Sequence, residues 1–297
     1  MNQRNMDQRI INLYDQFTHG GMSRRDFLDR LAELAGSAAA AAALVPLLQS
    51  NYANAAIVAP DDARLAIETV SYDASGTAIN GYLARGKDKG KRPAIIVIHE
   101  NRGLTPHIQD ITRRLAAEGF LALGIDILSP NGGTPAEEDK AREVFAAVVK
   151  PDEAAPRIAA AVPFLAKHAE STGNVGAIGF CWGGGMVNRI AVLSPTLKAG
   201  VAYYGVQVPA DQVPAIRAPL LLHYAGNDER VNAGIAAYEA ALKANNKRYT
   251  LHIYDGAQHA FNNDTGAARY DKAAADLAWG RTLAFFKENL GAPPRAS

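Results

Sequence analysis

Cysteine is nearly missing from this chain: its 297 residues hold one, Cys181. A single thiol excludes an intramolecular disulfide and any metal site built on several thiolates. Cys181 is then either a small buried hydrophobe or a reactive group. Charge of one sign is scarce as well, with 31 basic against 30 acidic residues and a formal net charge of +1. The basic residues form only short local pairs, so nothing points to a nucleic-acid partner. An apolar run of the roughly 20 residues that a membrane span needs is lacking too. The longest, from about Leu34 to Leu48, is short and alanine-rich, and no stable membrane anchor is expected. What is present is a hydrophobic content of 48%, ordinary for a globular protein, on a chain long enough to bury a large core.

The first 55 residues read as a separate segment. Paired arginines, Arg24 and Arg25, follow Ser23 and precede Phe27 and Leu28; the alanine-rich run comes next, then Ala53-Asn54-Ala55, a small-x-small pattern that suits signal peptidase. The segment resembles a twin-arginine export signal, which carries folded proteins and predicts a periplasmic or otherwise exported protein. The alternative is an amphipathic N-terminal helix that stays attached to a cytoplasmic protein.

From residue 56 onward, strand-like and helix-like stretches alternate. Residues 66–86 form two β-type runs around Asp73-Ala74-Ser75-Gly76, a hairpin signal. Continuous apolar runs at 93–98, 121–126, 174–180, 199–205 and 219–226 read as strands buried on both faces, and 248–256 as another strand. Between them, 106–120, 135–150, 152–169, 184–193 and 231–246 read as helices, the fourth-strand crossover 152–169 kinked by its prolines, and 268–290 closes the chain as a helix. This alternation predicts an α/β domain over 56–297, a mostly parallel central sheet covered by helices on both faces. In such sheets, ligands sit beyond the carboxyl ends of the strands.

The residues at those ends carry chemistry. His99, Glu100 and Asn101 follow the run 93–98; Cys181 follows 174–180; Asp228 follows 219–226; His259 follows 248–256. A thiol, a carboxylate and an imidazole thus fall on three strand ends in the chain order nucleophile, acid, base, the order of α/β-hydrolases. Gly179-Phe180-Cys181-Trp182-Gly183 is the nucleophile-elbow pattern with sulfur in place of the serine oxygen. The glycines permit a strand to turn sharply into a helix, and that helix aims its positive N-terminal end at the sulfur. The competing reading of Cys181 is a buried structural thiol at a tight strand–helix packing point. Asp228 is a candidate orienter of the imidazole or, alternatively, the cap of the helix that follows. Backbone N–H groups of Trp182 and Asn101 are candidates for an oxyanion hole. Glu100, costly to bury unless paired, belongs to the site or else anchors Arg102 or Arg113. Among the other histidines, His19, His107 and His168 read as exposed, His223 and His252 as packed in strands, and His99 as ambiguous.

Four stretches, Val97–Leu104, Gly179–Gly184, Gly226–Val231 and Asp255–Asn263, together resemble the dienelactone hydrolases (carboxymethylenebutenolidases), over about 66 to 290. The resemblance implies the α/β-hydrolase fold, an acylating cysteine at Cys181, a triad completed by His259 and Asp228, and a glutamate at Glu100 that contacts the thiol and helps generate thiolate. It implies no metal or organic cofactor. The family holds a substrate carboxylate with arginines, one of them four residues after the catalytic histidine; here that position is Asn263. Arg142 is a candidate for the other. The expected activity is therefore hydrolysis of a small lactone or carboxylic ester, dienelactone itself being one member of a wider set. A non-catalytic binding protein on the same scaffold, or a thiol redox sensor, are the alternatives; the sensor reading lacks a second cysteine to resolve a sulfenic acid. The partner is a small molecule, and the chain is expected to be a monomer or small homo-oligomer.

Overall fold

A computed structural model describes residues 6–51 and 56–293. Its centre is an eight-stranded sheet in the order β1-β2-β4-β3-β5-β6-β7-β8. The strands are β1 (Leu65–Asp73), β2 (Ala78–Gly86), β3 (Arg92–Ile98), β4 (Leu121–Asp126), β5 (Ser171–Phe180), β6 (Ala199–Tyr203), β7 (Leu220–Asn227) and β8 (Tyr249–Gln258). β1 pairs antiparallel with β2, and β2 with β4; β4 through β8 are parallel throughout. This is the mostly parallel, helix-covered sheet that the alternation of runs predicts, in the α/β-hydrolase fold that the resemblance implies.

Local chemistry sets the elements. Ser75 and Gly76 both take positive φ, 56° and 86°, between Ala74 and Thr77, whose backbones bond each other. That is the twist-matched two-residue turn a hairpin favours. β3 and β4 are buried at every position, so their side chains divide between two cores. Ala94, Ile96 and Ile98 face one side with Leu121, Leu123 and Ile125; Ile95 and Val97 face the other with Ala122.

The first core is covered by α5 (Glu138–Val148), α6 (Pro151–Ala159), α7 (Ala161–Ala166), α8 (Trp182–Leu193) and α10 (Ile235–Ala244); the second by α4 (Pro106–Ala117) and α11 (Lys272–Leu290). The crossover expected as one kinked helix is two: α6 stops at Ala159 and α7 resumes at Ala161, ahead of Pro163, whose ring cannot follow a straight helical ladder. The helix expected over 231–246 is likewise divided, into a single turn α9 (Glu229–Asn232) and α10.

The N-terminal residues form three helices: α1 (Gln8–His19), α2 (Arg24–Ala35) and α3 (Ala38–Leu48). Asp7, Ser23 and Ser37 cap them, each accepting a backbone N–H of the first turn. Ile10, Leu13, Tyr14 and Phe17 of α1 pack with Phe27 and Leu31 of α2 and with Ala41 and Leu48 of α3. Phe17 and Phe27 stack at 4.5 Å. The paired arginines open α2, with Ser23 as its cap. Among the described residues no single helix is long and apolar enough to cross a membrane; α2 and α3 pass that test only together, bent by 112°. The small-x-small pattern at residues 53–55 lies outside the described residues.

Candidate active site

The carboxyl ends of β3, β5, β7 and β8 converge on one spot, and Cys181 stands at its centre. It is the residue between β5 and α8, with φ 55° and ψ −114°, a conformation costing a non-glycine residue about 1–3 kcal/mol and held only where surroundings impose it. They do so by close approach. A Cβ on Gly179 would lie 2.1 Å from the carbonyl oxygen of Gly183, and one on Gly183 would lie 2.3 Å from that of Ile98. Cys181 N–H donates to the Tyr203 carbonyl at 3.0 Å, fixing the turn to β6. The elbow geometry expected of the glycine pattern is therefore present. The thiol is 6% exposed.

His259 and Asp228 are both buried beside it. His259 Nδ1 lies 2.5 Å from Asp228 Oδ2, which fixes the tautomer and leaves Nε2 to face the sulfur. That Nε2 is buried without a hydrogen bond and lies within 4.8 Å of Sγ. Asp228 also caps α9, its Oδ1 accepting Val231 N–H at 3.2 Å while Oδ2 meets His259. The loop after His259 is pinned to α4 by Asp264, which meets His107 Nδ1 at 3.1 Å and the Arg114 guanidinium at 2.5 Å.

Glu100 and Asn101 lie in the turn after β3. Glu100 is buried, and its Oε2 accepts from Asn263 Nδ2 at 3.0 Å. The asparagine standing where the family resemblance calls for an arginine thus holds this carboxylate, and its Oδ1 accepts in turn from Thr265. Arg102 pairs with Glu138 at 2.7 Å, and Arg113 donates to the Val58 carbonyl at 2.7 Å. Trp182 is the first residue of α8, where a helix leaves its N–H groups unpaired. Its indole stacks on His99 at 5.5 Å. His99 is structural: Nδ1 donates to the Glu100 carbonyl at 2.5 Å and Nε2 accepts Ile127 N–H at 3.3 Å. Burial holds its pKa below the ordinary value.

The hydrogen bond on the thiol comes from a residue that strand-end reasoning passed over. His19, the last residue of α1, places Nε2 3.0 Å from Cys181 Sγ. Read as exposed from the sequence, it has a side chain 12% exposed; its Nδ1 lies 3.0 Å from the Asp15 carbonyl and from Thr18 Oγ1, with Asp15 Oδ1 at ion-pair distance, also 3.0 Å. His107, also read as exposed, is buried, and His168 is half-buried. The site's electrostatics follow. Burial alone would raise the thiol, but the imidazoles of His19 and His259 outweigh it and bring Cys181 down to about 6. Burial opposes charging of His259, and the thiolate with Asp228 overcomes it, raising that imidazole to about 10. His19 is raised in the same way, by the thiolate and Asp15 against burial. All three shifts favour the charged forms, thiolate beside imidazolium. Beside it a cavity of about 300 Å³ opens onto Cys181, lined by Phe145, Trp182, Tyr204, Arg142 and Arg230.

Residues 79–290 match the model of the dienelactone hydrolase family, and residues 1–38 match a second model described as YqhI-like. A protein of Escherichia coli K12 provisionally named carboxymethylenebutenolidase is 33% identical over 259 residues, covering 82% of this chain and 94% of the relative. A Bradyrhizobium protein provisionally named a 2-oxo-3-(5-oxofuran-2-ylidene)propanoate lactonase is 30% identical, covering 76% of this chain and 98% of its own. The crystal structure of a Klebsiella pneumoniae protein, provisionally named a dienelactone hydrolase, superposes with a TM-score of 0.68 at 29% identity, covering 75% of this chain and 99% of that one. The sheet agrees with that likeness, and the chain belongs to the dienelactone hydrolase family, as a carboxylic ester hydrolase.

Proposed function

We propose that the chain hydrolyses a small lactone or carboxylic ester by acyl transfer to Cys181, with His259 as acid and base and Asp228 as the group that orients it. The observation that carries this reading is the buried, hydrogen-bond-free Nε2 of His259, facing a strained, depressed-pKa thiol from the strand end opposite Asp228. Thiolate attacks the carbonyl carbon. Backbone N–H groups of Trp182 and Asn101 stabilise the oxyanion, an effect worth roughly 3 kcal/mol per donor in comparable sites. The C–O bond breaks, the leaving oxygen takes the His259 proton, and a thioester remains. Water then gives a proton to His259, its oxygen attacks the thioester, and the C–S bond breaks to return thiolate and release the acid. Glu100, held by Asn263, supports the turn that carries Asn101.

The cavity argues for the substrate class. Trp182, Phe145 and Tyr204 give it an apolar wall, and Arg142 and Arg230 set two guanidiniums at its edge. A compact acyl group bearing a carboxylate fits that combination better than a long neutral chain. The test is turnover of p-nitrophenyl acetate and of a lactone panel that includes dienelactone, by the natural protein and by Cys181→Ala. Loss of all turnover in the variant, with an acyl adduct on Cys181 of the natural protein by mass spectrometry, is the expected result. Equal rates in the two proteins would remove Cys181 from the reaction and leave a binding protein on this scaffold.

A separate proposal concerns location. The Ser23–Leu28 pattern supports export by the twin-arginine route in the folded state. Cell fractionation with detection of the protein outside the cytoplasm tests it.

A further inference from the structure

Besides Asp228–His259, a second carboxylate–imidazole pair reaches the nucleophile. Asp15 and His19 lie one turn apart on α1, outside the span that matches the hydrolase family. The two imidazole rings meet edge to face at 4.8 Å. His19 Nε2 is 3.0 Å from Sγ, whereas His259 Nε2 makes no hydrogen bond. The position is held from several directions. Asn101 Nδ2, in the turn after β3, donates to the Thr18 carbonyl at 2.8 Å. The guanidinium of Arg142 lies 4.1 Å over the Phe17 ring, and that of Arg269 lies 5.0 Å over Tyr14. Gln258, beside His259, exchanges amide hydrogen bonds with Gln8 at the other end of the helix. The cavity that opens onto Cys181 persists with α1 in place, so the helix borders the route to the sulfur without filling it.

We propose that His19 is a second catalytic imidazole, brought to the thiol by the N-terminal helix, oriented by the Asp15 carbonyl and the Thr18 hydroxyl at Nδ1, with the Asp15 carboxylate as counter-charge. This rests on the reading of Cys181 as the nucleophile and divides the proton work between two histidines. His19 takes the thiol proton: the S–H bond breaks, the Nε2–H bond forms, and the imidazolium stays as counter-ion to sulfur through the cycle. His259 is left to protonate the leaving oxygen and to deprotonate water. When the thioester collapses, the sulfur leaves as thiolate against the His19 imidazolium and takes no proton. The other charged or titratable groups around the sulfur and its two imidazoles are Asp15, Asp228 and Arg230, with Tyr204 against the His259 ring and Glu100 and Arg269 acting on Tyr204 in turn.

The test uses the full chain and measures the thiol directly. Alkylation of Cys181 by iodoacetamide is followed by mass spectrometry from pH 4 to pH 10 in the natural protein, His19→Gln and Asp15→Asn, with kcat/KM for a small ester measured beside it. In His19→Gln the alkylation midpoint is expected to rise by about one pH unit or more, and kcat/KM at neutral pH to fall by about tenfold or more. Asp15→Asn, which keeps the imidazole, is expected to shift the midpoint in the same direction by less. A midpoint unmoved in both variants overturns the proposal. So does a shifted midpoint with kcat/KM within about twofold of the natural value, and so does a gain in kcat/KM, which would make α1 a plug. Because alkylation reads the thiol whether or not it is acylated, the outcome stays distinct from that of Cys181→Ala, on which the reading of the nucleophile depends.

Discussion

Cys181 has two neighbours that hold protons and one that holds its backbone. The thiol, depressed to about 6, is charged above that pH; His259, raised to about 10, is charged below that one. Each stabilises the other's charged form, so the pair contributes to stability between the two values. It fades as pH falls through about 6, where thiolate is protonated, and as pH rises through about 10, where His259 loses its proton. Alkylation of the native protein by iodoacetamide should therefore be half-maximal near pH 6 rather than near the pH 8.5 of a free thiol; a midpoint near 8.5 would contradict the paired state. Asp228→Asn should lower kcat by about 10²-fold or more while leaving KM near its natural value, since the carboxylate touches His259 and not the cavity. Arg142→Ala should do the opposite, raising KM for an anionic lactone more than for p-nitrophenyl acetate. At this scale the sequence was readable wherever a side chain follows a strand. Cys181, Asp228 and His259 each do, and a parallel sheet brings strand ends together whatever their spacing in the chain. His19 follows no strand. Its only sequence signal is a helical rhythm, Ile10, Leu13, Tyr14 and Phe17, between a capping aspartate and Gly20, and that rhythm tells of a helix without telling where it docks.

The element that makes the site is the β5–α8 junction, and its tolerance is small. Gly183→Ala would push a methyl group to 2.3 Å from the Ile98 carbonyl, and backbone cannot yield as a side chain can. A loss of about 1–3 kcal/mol, as for other overpacked sites, should appear as a lower urea midpoint with an unchanged slope. α1 is the opposite kind of element, attached mainly by its side chains, with one backbone carbonyl, that of Thr18, held by Asn101. Phe17→Ala removes the ring on which both Phe27 and Arg142 rest. The large-to-small change is worth about 3–5 kcal/mol in a well-packed core, enough to release a short helix from a surface. Amide exchange should rise over residues 8–19 while β3 and β5 stay protected; exchange rising equally in the central strands would mean the three N-terminal helices and the sheet unfold as one unit. Helix boundaries were legible where apolar spacing persists and were lost where proline interrupts, as between α6 and α7, because the ladder breaks there while the apolar face continues.

On the scale of the whole molecule, the body from β1 to α11 is a hydrolase fold, and the helices before it lie across the mouth of its site. Export and the role of His19 are compatible only when the translocated protein keeps those helices. Intact mass of the protein isolated from its producing cells should include residue 19; a mature start at Ala56 would detach His19 and Asp15 together and leave His259 as the one imidazole at the sulfur. The parallel character of the sheet and its cover of helices were legible in the sequence, since long apolar runs alternating with helices leave few other layerings. The docking of α1 was not, since Asn101, Arg142, Gln258 and Arg269 lie far apart in the chain and meet α1 only once the sheet has formed. For anyone moving this site into another scaffold, the unit of transfer then differs from the unit of folding. A graft cut at the edges of the hydrolase fold would carry the strained elbow and the aspartate-held histidine intact, and would still part the sulfur from the imidazole that hydrogen-bonds it.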